Sequence, residues 1–203
     1  DYLREHLRRD AEDEDSSHDF GHDIIPHAVS HGHKVLAYPF SNPAAGAPDY
    51  WRDVGTIDAY YQANIELLSE DPPLVLGDRD WPVLTYQQQA PPARFSPESK
   101  NASIDNVMVS GGCRIGRCSI ADSLMFSNSI VHRASDIKGC LVLPEAEIGS
   151  GSRLRNVIVD NGTMIPEKSV IGYDPEEDRR KYHVTEGGVT VVTRMMLGDG
   201  PAW

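Results

Sequence analysis

The sequence predicts an α/β piece followed by an all-β, left-handed parallel β-helix. Three observations carry this expectation. Aliphatic residues recur every six positions from residue 104 onward, as in Val131 and Ile137, Ile148 and Leu154, and Ile165 and Ile171, and a hexapeptide period is a β-helix signature. The charge is lopsided: residues 1–95 hold 7 Lys and Arg against 17 Asp and Glu, whereas residues 96–203 hold 12 against 14. A proline-rich stretch with little apolar periodicity lies between the two regions and contains Pro72, Pro73, Pro82, Pro91, Pro92 and Pro97. These features divide the chain into a first piece over residues 1–71, a linker over 72–103 and the β-helix over 104–203.

The elements follow in order. Leu3 and Leu7 lie four apart in an amphipathic helix at the start of the chain. The run Glu12-Asp13-Glu14-Asp15 reads as a solvated loop. Ser16 or Ser17 is the expected cap of a second helix carrying Ile24, Ile25 and Val29, with Pro26 limiting it or lying in its first turns. Lys34 to Tyr38 is expected to be a buried strand stopped by Pro39, and residues 41–49 a loop. Thr56 is the expected cap of a third helix with Ile57, Tyr60, Tyr61, Ile65 and Leu68 on its apolar positions. About 65 residues of hexads make roughly three and a half coils of ~18 residues. Leu124 and Ile130 are read as another inward pair, and Ile-Gly steps occur at 115–116, 148–149 and 171–172, with Ile165-Pro166 in the same slot. Residues 174–182 read as a short charged helix or turn, and residues 189–193 as a strand capping the coil stack.

Composition narrows the function classes. The 203 residues carry a formal net charge of −12, which argues against a general nucleic-acid binder. No apolar run approaches 18 residues, so no membrane span is expected. The start of the chain lacks a signal peptide pattern and an initiator Met, and the numbering is expected to begin inside a longer natural chain. Cys113, Cys118 and Cys140 form no CxxC pair. They read as small side chains within coils and suit a reducing compartment, the cytoplasm. Asp19-Phe20-Gly21 resembles a kinase triplet, but no glycine-rich loop, strand lysine or HRD loop precedes it. His18, His22, His27, His31 and His33 are close in sequence but lack the spacing of a zinc site. Asp53 lies in a tight loop before a helix N-terminus, where it can cap the helix or hold Mg²⁺ beside a phosphate.

Five stretches resemble one family. Residues 16–26, SSHDFGHDIIP, and residues 50–57, YWRDVGTI, are similar to paired segments of the bacterial ADP-glucose pyrophosphorylases (glucose-1-phosphate adenylyltransferases). Val109-Ser110-Gly111-Gly112-Cys113, Leu141-Val142-Leu143-Pro144-Glu145 and Val192-Thr193-Arg194 look like that family's β-helix and C-terminal segment. The resemblance implies that the first piece is the C-terminal part of a Rossmann-like nucleotidyltransferase domain. The family's glycine-rich phosphate loop, catalytic Asp and sugar-phosphate Lys do not occur in these residues, so the chain alone is expected to be inactive. The implied reaction joins ATP and glucose 1-phosphate to give ADP-glucose and pyrophosphate for glycogen synthesis.

By the same resemblance Asp53 is a catalytic Mg²⁺ ligand, Ser17, Asp19, Phe20 and Trp51 bind substrate, and Glu145 and Arg194 bind an anionic metabolite effector in a homotetramer. Fructose 1,6-bisphosphate and AMP act in one branch of the family. Asn161 and Gly198 stand here in place of basic residues, and the tail after Gly198 is not basic. A smaller anion acting through Arg194 is therefore expected. Two other classes compete. One is a non-catalytic regulatory or oligomerisation subunit. The other is a hexapeptide acyltransferase using CoA, for which His132 is the only histidine within the coils to serve as general base.

Overall fold

The computed structural model describes residues 2–42, 47–48, 50–79, 82–86, 88–96 and 103–198. It forms two compact units, residues 1–49 and residues 50–203. This boundary lies upstream of the one expected at residue 71, because the third helix packs on the solenoid.

In the first unit, helix α1 spans Tyr2–Ala11. A π-turn, Phe20–Ile24, leads into helix α2, Ile25–Ser30, with Pro26 in its first turn. The cap is not Ser16 or Ser17. Asp19 takes that place, its side chain accepting from the Gly21 and His22 N–H groups. A carboxylate reaches two orphan amides at once and complements the helix dipole. The strand expected over residues 34–38 does not form, and Leu36 and Tyr38 are 90% and 86% exposed. A strand needs a neighbouring ladder, and among the described residues of this unit none pairs with it. Residues 41–42 and 47–48 form a two-residue antiparallel pair; the rest of the loop expected over 41–49 lies outside the described residues.

The second unit is a three-sided parallel β-solenoid. On the first face, residues 94–95, 114–115, 130–131, 147–148 and 164–165 pair in parallel rungs. The second face stacks residues 103–105, 119–121, 136–138, 153–155 and 170–171. The third stacks residues 107–109, 123–125, 141–142, 157–159 and 190–192. Coils are shorter than the ~18 residues expected: Ile130, Glu147 and Met164 step by 17, and Arg114 to Ile130 by 16. The stack also begins earlier than residue 104. Arg94–Phe95 forms the first rung, and Gly112 donates to the Pro91 carbonyl at 2.6 Å, so the expected linker ends near residue 90.

The inward columns are aliphatic. Ile115, Val131, Ile148 and Ile165 line one face and Ile120, Ile137, Leu154 and Ile171 the next, all 3% exposed or less. Each such side chain contributes about 1.5–3 kcal/mol. The pair Leu124 and Ile130 does not point inward. Met125 and Val131 make that step, and Leu124 points out of the third face.

Left-handed residues recur at the corners, in three columns at coil spacing. Asn106, Asp122, Gly139 and Asn156 form one column, Gly112, Asn128, Glu145 and Gly162 a second, and Ala134, Gly151 and Lys168 a third. Asn, Asp and Gly tolerate this conformation at low cost. The three cysteines sit inside the coils. Burial pushes the Cys118 and Cys140 thiols up to about 11 and about 12.

The last turn is expanded. Helix α4 is Pro175–Lys181, as expected, capped by Asp174. Strand Thr190–Val192 closes the third face.

Helix α3, Ile57–Ile65, with the 3₁₀ turn Glu66–Leu68 after it, covers the outward side of the third face. Tyr60, Tyr61, Ile65, Leu67 and Leu68 pack on Leu124, Leu141 and Ile158. The Tyr61 hydroxyl donates to the Gly139 carbonyl at 2.7 Å, and Asp58 accepts from the Thr185 hydroxyl at 2.6 Å and from the Gly187 N–H at 3.2 Å.

Replacing Leu154, fully buried between Ile137 and Ile171, by Ala is expected to cost about 2–5 kcal/mol. Chemical denaturation of the chain measures this as a lower midpoint.

Candidate functional site

The loop over residues 50–56 is tied to α3 at two points. Arg52 ion-pairs with Glu66 at the far end of the helix, and Thr56 caps the near end, its Oγ1 accepting from the Ala59 N–H at 3.1 Å. Asp53 is therefore not the helix cap. Its Oδ1 accepts from the Gly55 N–H at 2.9 Å and closes a short turn. A Cβ added at Gly55 would stand 3.2 Å from Asp53 Oδ1, which explains a glycine there. Asp53 is exposed, and its Oδ2 has no hydrogen bond among the described residues. Trp51 is 76% exposed.

Among the described residues no three His, Cys, Asp or Glu side chains converge as a metal cage. An exposed single carboxylate still fits Mg²⁺, which takes one or two carboxylates and fills its remaining positions with water and phosphate oxygens.

Ser17, Asp19 and Phe20 belong to the first unit. The Ser17 hydroxyl donates to Asp23 Oδ2 at 2.6 Å, and the Asp19 N–H donates to the same oxygen at 3.0 Å. Asp19 Oδ1 carries the Gly21 and His22 amides at 2.7 and 2.9 Å, with His22 Nδ1 at 3.2 Å. These donors, the His22 amide first, hold the Asp19 carboxyl below its usual value. The Ser17 hydroxyl, chiefly, does the same for Asp23. Asp19 thus serves the local fold with one oxygen and stays ionised. Phe20 is half exposed, as a wall rather than a core side chain.

Glu145 lies in the same corner column as Gly162, the residue that Arg194 approaches one rung further on. Glu145 is exposed with φ +62°. On the next rung Gly162 donates its N–H to the Pro144 carbonyl at 2.9 Å. Arg194 Nη1 lies 3.6 Å from where a Cβ on Gly162 would stand, and Arg194 Nε is buried without a hydrogen-bond partner. Asn161 beside them is exposed. The tail beyond residue 198 lies outside the described residues. His132 lies on the first face, with Nε2 2.6 Å from Glu147 Oε1.

Residues 91–192 match the model of the GlmU-like, C-terminal hexapeptide family, and residues 1–70 match that of the nucleotidyl transferases. The chain belongs to the GlmU-like hexapeptide family. It is also a homologue of the glucose-1-phosphate adenylyltransferases. It is 49% identical over 201 residues to glucose-1-phosphate adenylyltransferase 2 of Pseudoalteromonas atlantica, covering 97% of this chain and 47% of that protein. Against the glucose-1-phosphate adenylyltransferase of Nitrosococcus oceani the identity is 46%, covering 98% and 47%. The chain spans about half the length of the curated relatives it matches. The nucleotidyl transferase match runs through α3, so it includes the helix that packs on the solenoid. The expected fold class, a nucleotidyltransferase piece followed by a hexapeptide β-helix, is what the structure and both family models give.

One cluster escapes sequence reading. The rings of His6, His27, His31 and His33 lie within 3.9–5.8 Å of their neighbours, with Arg9 hydrogen-bonded to His27. His6 is 21 residues from His27, so only the pairing of α1 with α2 reveals the group. Burial first, then the Arg9 charge and the other rings, pushes the His27 pKa below its usual 6.5. The unfolded chain then binds more protons than the folded one between the lowered value and 6.5, so this contribution to stability is present above pH 6.5 and lost as the pH falls below it. The protection factors of amides in α1 and α2, with the intrinsic pH dependence of exchange divided out, are expected to fall between pH 7.5 and 5.5, and His27→Gln should flatten that dependence.

Proposed function

We propose that this chain is the part of a glucose-1-phosphate adenylyltransferase that supplies Asp53 as a Mg²⁺ ligand and the solenoid as the assembly and effector domain. The reaction is adenylyl transfer from ATP to glucose 1-phosphate, giving ADP-glucose and pyrophosphate for glycogen synthesis in the cytoplasm. The observation that carries the reading is the exposed Asp53 carboxylate in a loop pinned by Arg52–Glu66 and Thr56, in a chain 46–49% identical to proteins of that name.

The glucose 1-phosphate oxygen forms a bond to the α-phosphorus of ATP while the bond from that phosphorus to the departing pyrophosphate breaks. Little covalent chemistry is left for side chains, so positioning and neutralisation of charge dominate. Bound Mg²⁺ supplies that neutralisation. Asp53 would hold the ion through its carboxylate, whose Oδ1 accepts from the Gly55 amide. Asp19, ionised, accepts hydrogen bonds from sugar hydroxyls, Ser17 orients the same segment, and Phe20 and Trp51 offer exposed aromatic faces to the glucose ring.

Glu145 and Arg194 serve the effector. The Arg194 guanidinium and the neighbouring Gly162 corner suit a small anion such as a sugar monophosphate or pyruvate. With Asn161 and Gly198 replacing cations, a bisphosphate finds too few partners, since each charge-assisted bond lost costs about tenfold or more in affinity. The assembly is a homotetramer, which light scattering on the complete enzyme tests directly.

In the complete enzyme Asp53→Asn should lower turnover by at least about a hundredfold, because a metal's charge stabilisation is worth several kcal/mol. The melting temperature should not move, because Thr56 caps α3. Turnover at the wild-type level would return Asp53 to a purely structural role. Arg194→Ala should abolish activation by the small anion and leave the unactivated rate as it was.

A further inference from the structure

We propose that the first face of the solenoid is a binding site for the phosphate group of a small metabolite, held by Arg94, Arg114 and Arg133. The proposal does not rest on the adenylyl-transfer reading.

The register places the charges. Arg94 and Arg114 are directly paired on adjacent parallel rungs, about 4.8 Å apart at the backbone. Both point outward, since Ile115 beside Arg114 fills the core, and both are exposed. Like charges directly opposite one another destabilise a sheet. Neither arginine has an ion-pair or hydrogen-bond partner among the described side chains, in a chain whose formal charge is −12. Arg133 lines the same concavity from the following corner, with Ser150 on the next rung. The concavity measures about 640 Å³, the size of a small-molecule site rather than of a macromolecular interface.

Among the described residues one carboxylate lines the concavity, and it is engaged. Glu147 Oε1 accepts from His132 Nε2 at 2.6 Å. His132 has room to reach it because the residues stacked on either side of it are Gly116 and Gly149. Three guanidinium groups against one carboxylate leave a local charge of +2, the complement of a phosphate dianion. Guanidinium forks on neighbouring rungs match phosphate oxygens bidentately, and Ile130, next in the outward column, offers an apolar contact to a carbon skeleton.

The test titrates the ¹⁵N-labelled 203-residue chain with inorganic phosphate at constant ionic strength, following arginine Nε–H resonances. Saturable shifts are expected at Arg94, Arg114 and Arg133. Arg114→Ala should raise Kd about tenfold, and Arg194→Ala should leave it unchanged. Shifts that rise linearly at all arginines would overturn the proposal, because they report screening alone. An unchanged Kd in Arg114→Ala would overturn it as well. So would a drop in assembly mass by light scattering in Arg114→Ala, which would make this face a contact between copies. Arg114 is fully on the surface, and Arg114→Lys, which keeps charge but loses the fork, should give an intermediate Kd with an unchanged melting curve.

Discussion

The packing of helix α3 on the outer side of the solenoid's third face governs where the rest of the site stands. Leu124, Leu141 and Ile158 point away from the coil interior and would face water without Tyr60, Tyr61, Ile65 and the two leucines after them. Hydrophobic burial has no direction, so it alone would let the helix slide. The Tyr61–Gly139 bond and the Asp58 bonds to Thr185 and Gly187 fix its register. Arg52 and Thr56 then carry that register into the loop that holds Asp53. A residue expected on sequence grounds to belong to the first piece is in this way positioned by the second.

The solenoid tolerates such an attachment because its corners do the folding locally. Left-handed residues mark the corners, and the columns Asn106–Asp122–Gly139–Asn156 and Gly112–Asn128–Glu145–Gly162 repeat at coil spacing. Asn106 donates to Asp122 at 3.0 Å along the first column. Glu145 is the costly member of the second, since a Glu gains nothing in that conformation. That cost falls one rung from Gly162, the corner that Arg194 approaches.

The hexapeptide domain was legible because the inward columns at Val131 and Ile137, Ile148 and Leu154, and Ile165 and Ile171 impose a period on the sequence itself. The Thr56 cap and the charged helix after Asp174 were legible for local reasons of the same kind. The strand expected at residues 34–38 failed because strand formation depends on a partner that sequence pattern does not show. Leu124 was assigned inward because six-residue spacing cannot tell the two sides of a face apart. A 17-residue recurrence, Leu124, Leu141 and Ile158, marks the covered outer side once the coil length is known. The loop of Asp53 was legible as a turn before a helix N-terminus, its metal role was implied only by the family resemblance, and its freedom from capping duty needed the geometry. The arginine pair Arg94 and Arg114 could not be read at all, because residue 94 lay in what looked like a linker.

The central claim is that α3 and the Asp53 loop belong energetically to the solenoid. Native-state hydrogen exchange on the whole chain tests it most directly. If the claim holds, amides of Tyr60 to Ile65 open with the same free energy as Leu141 and Ile158, and Tyr61→Phe lowers the protection of α3 while the inner rungs keep theirs. Exchange in α3 as fast as in residues 34–38, with the solenoid still protected, would contradict it.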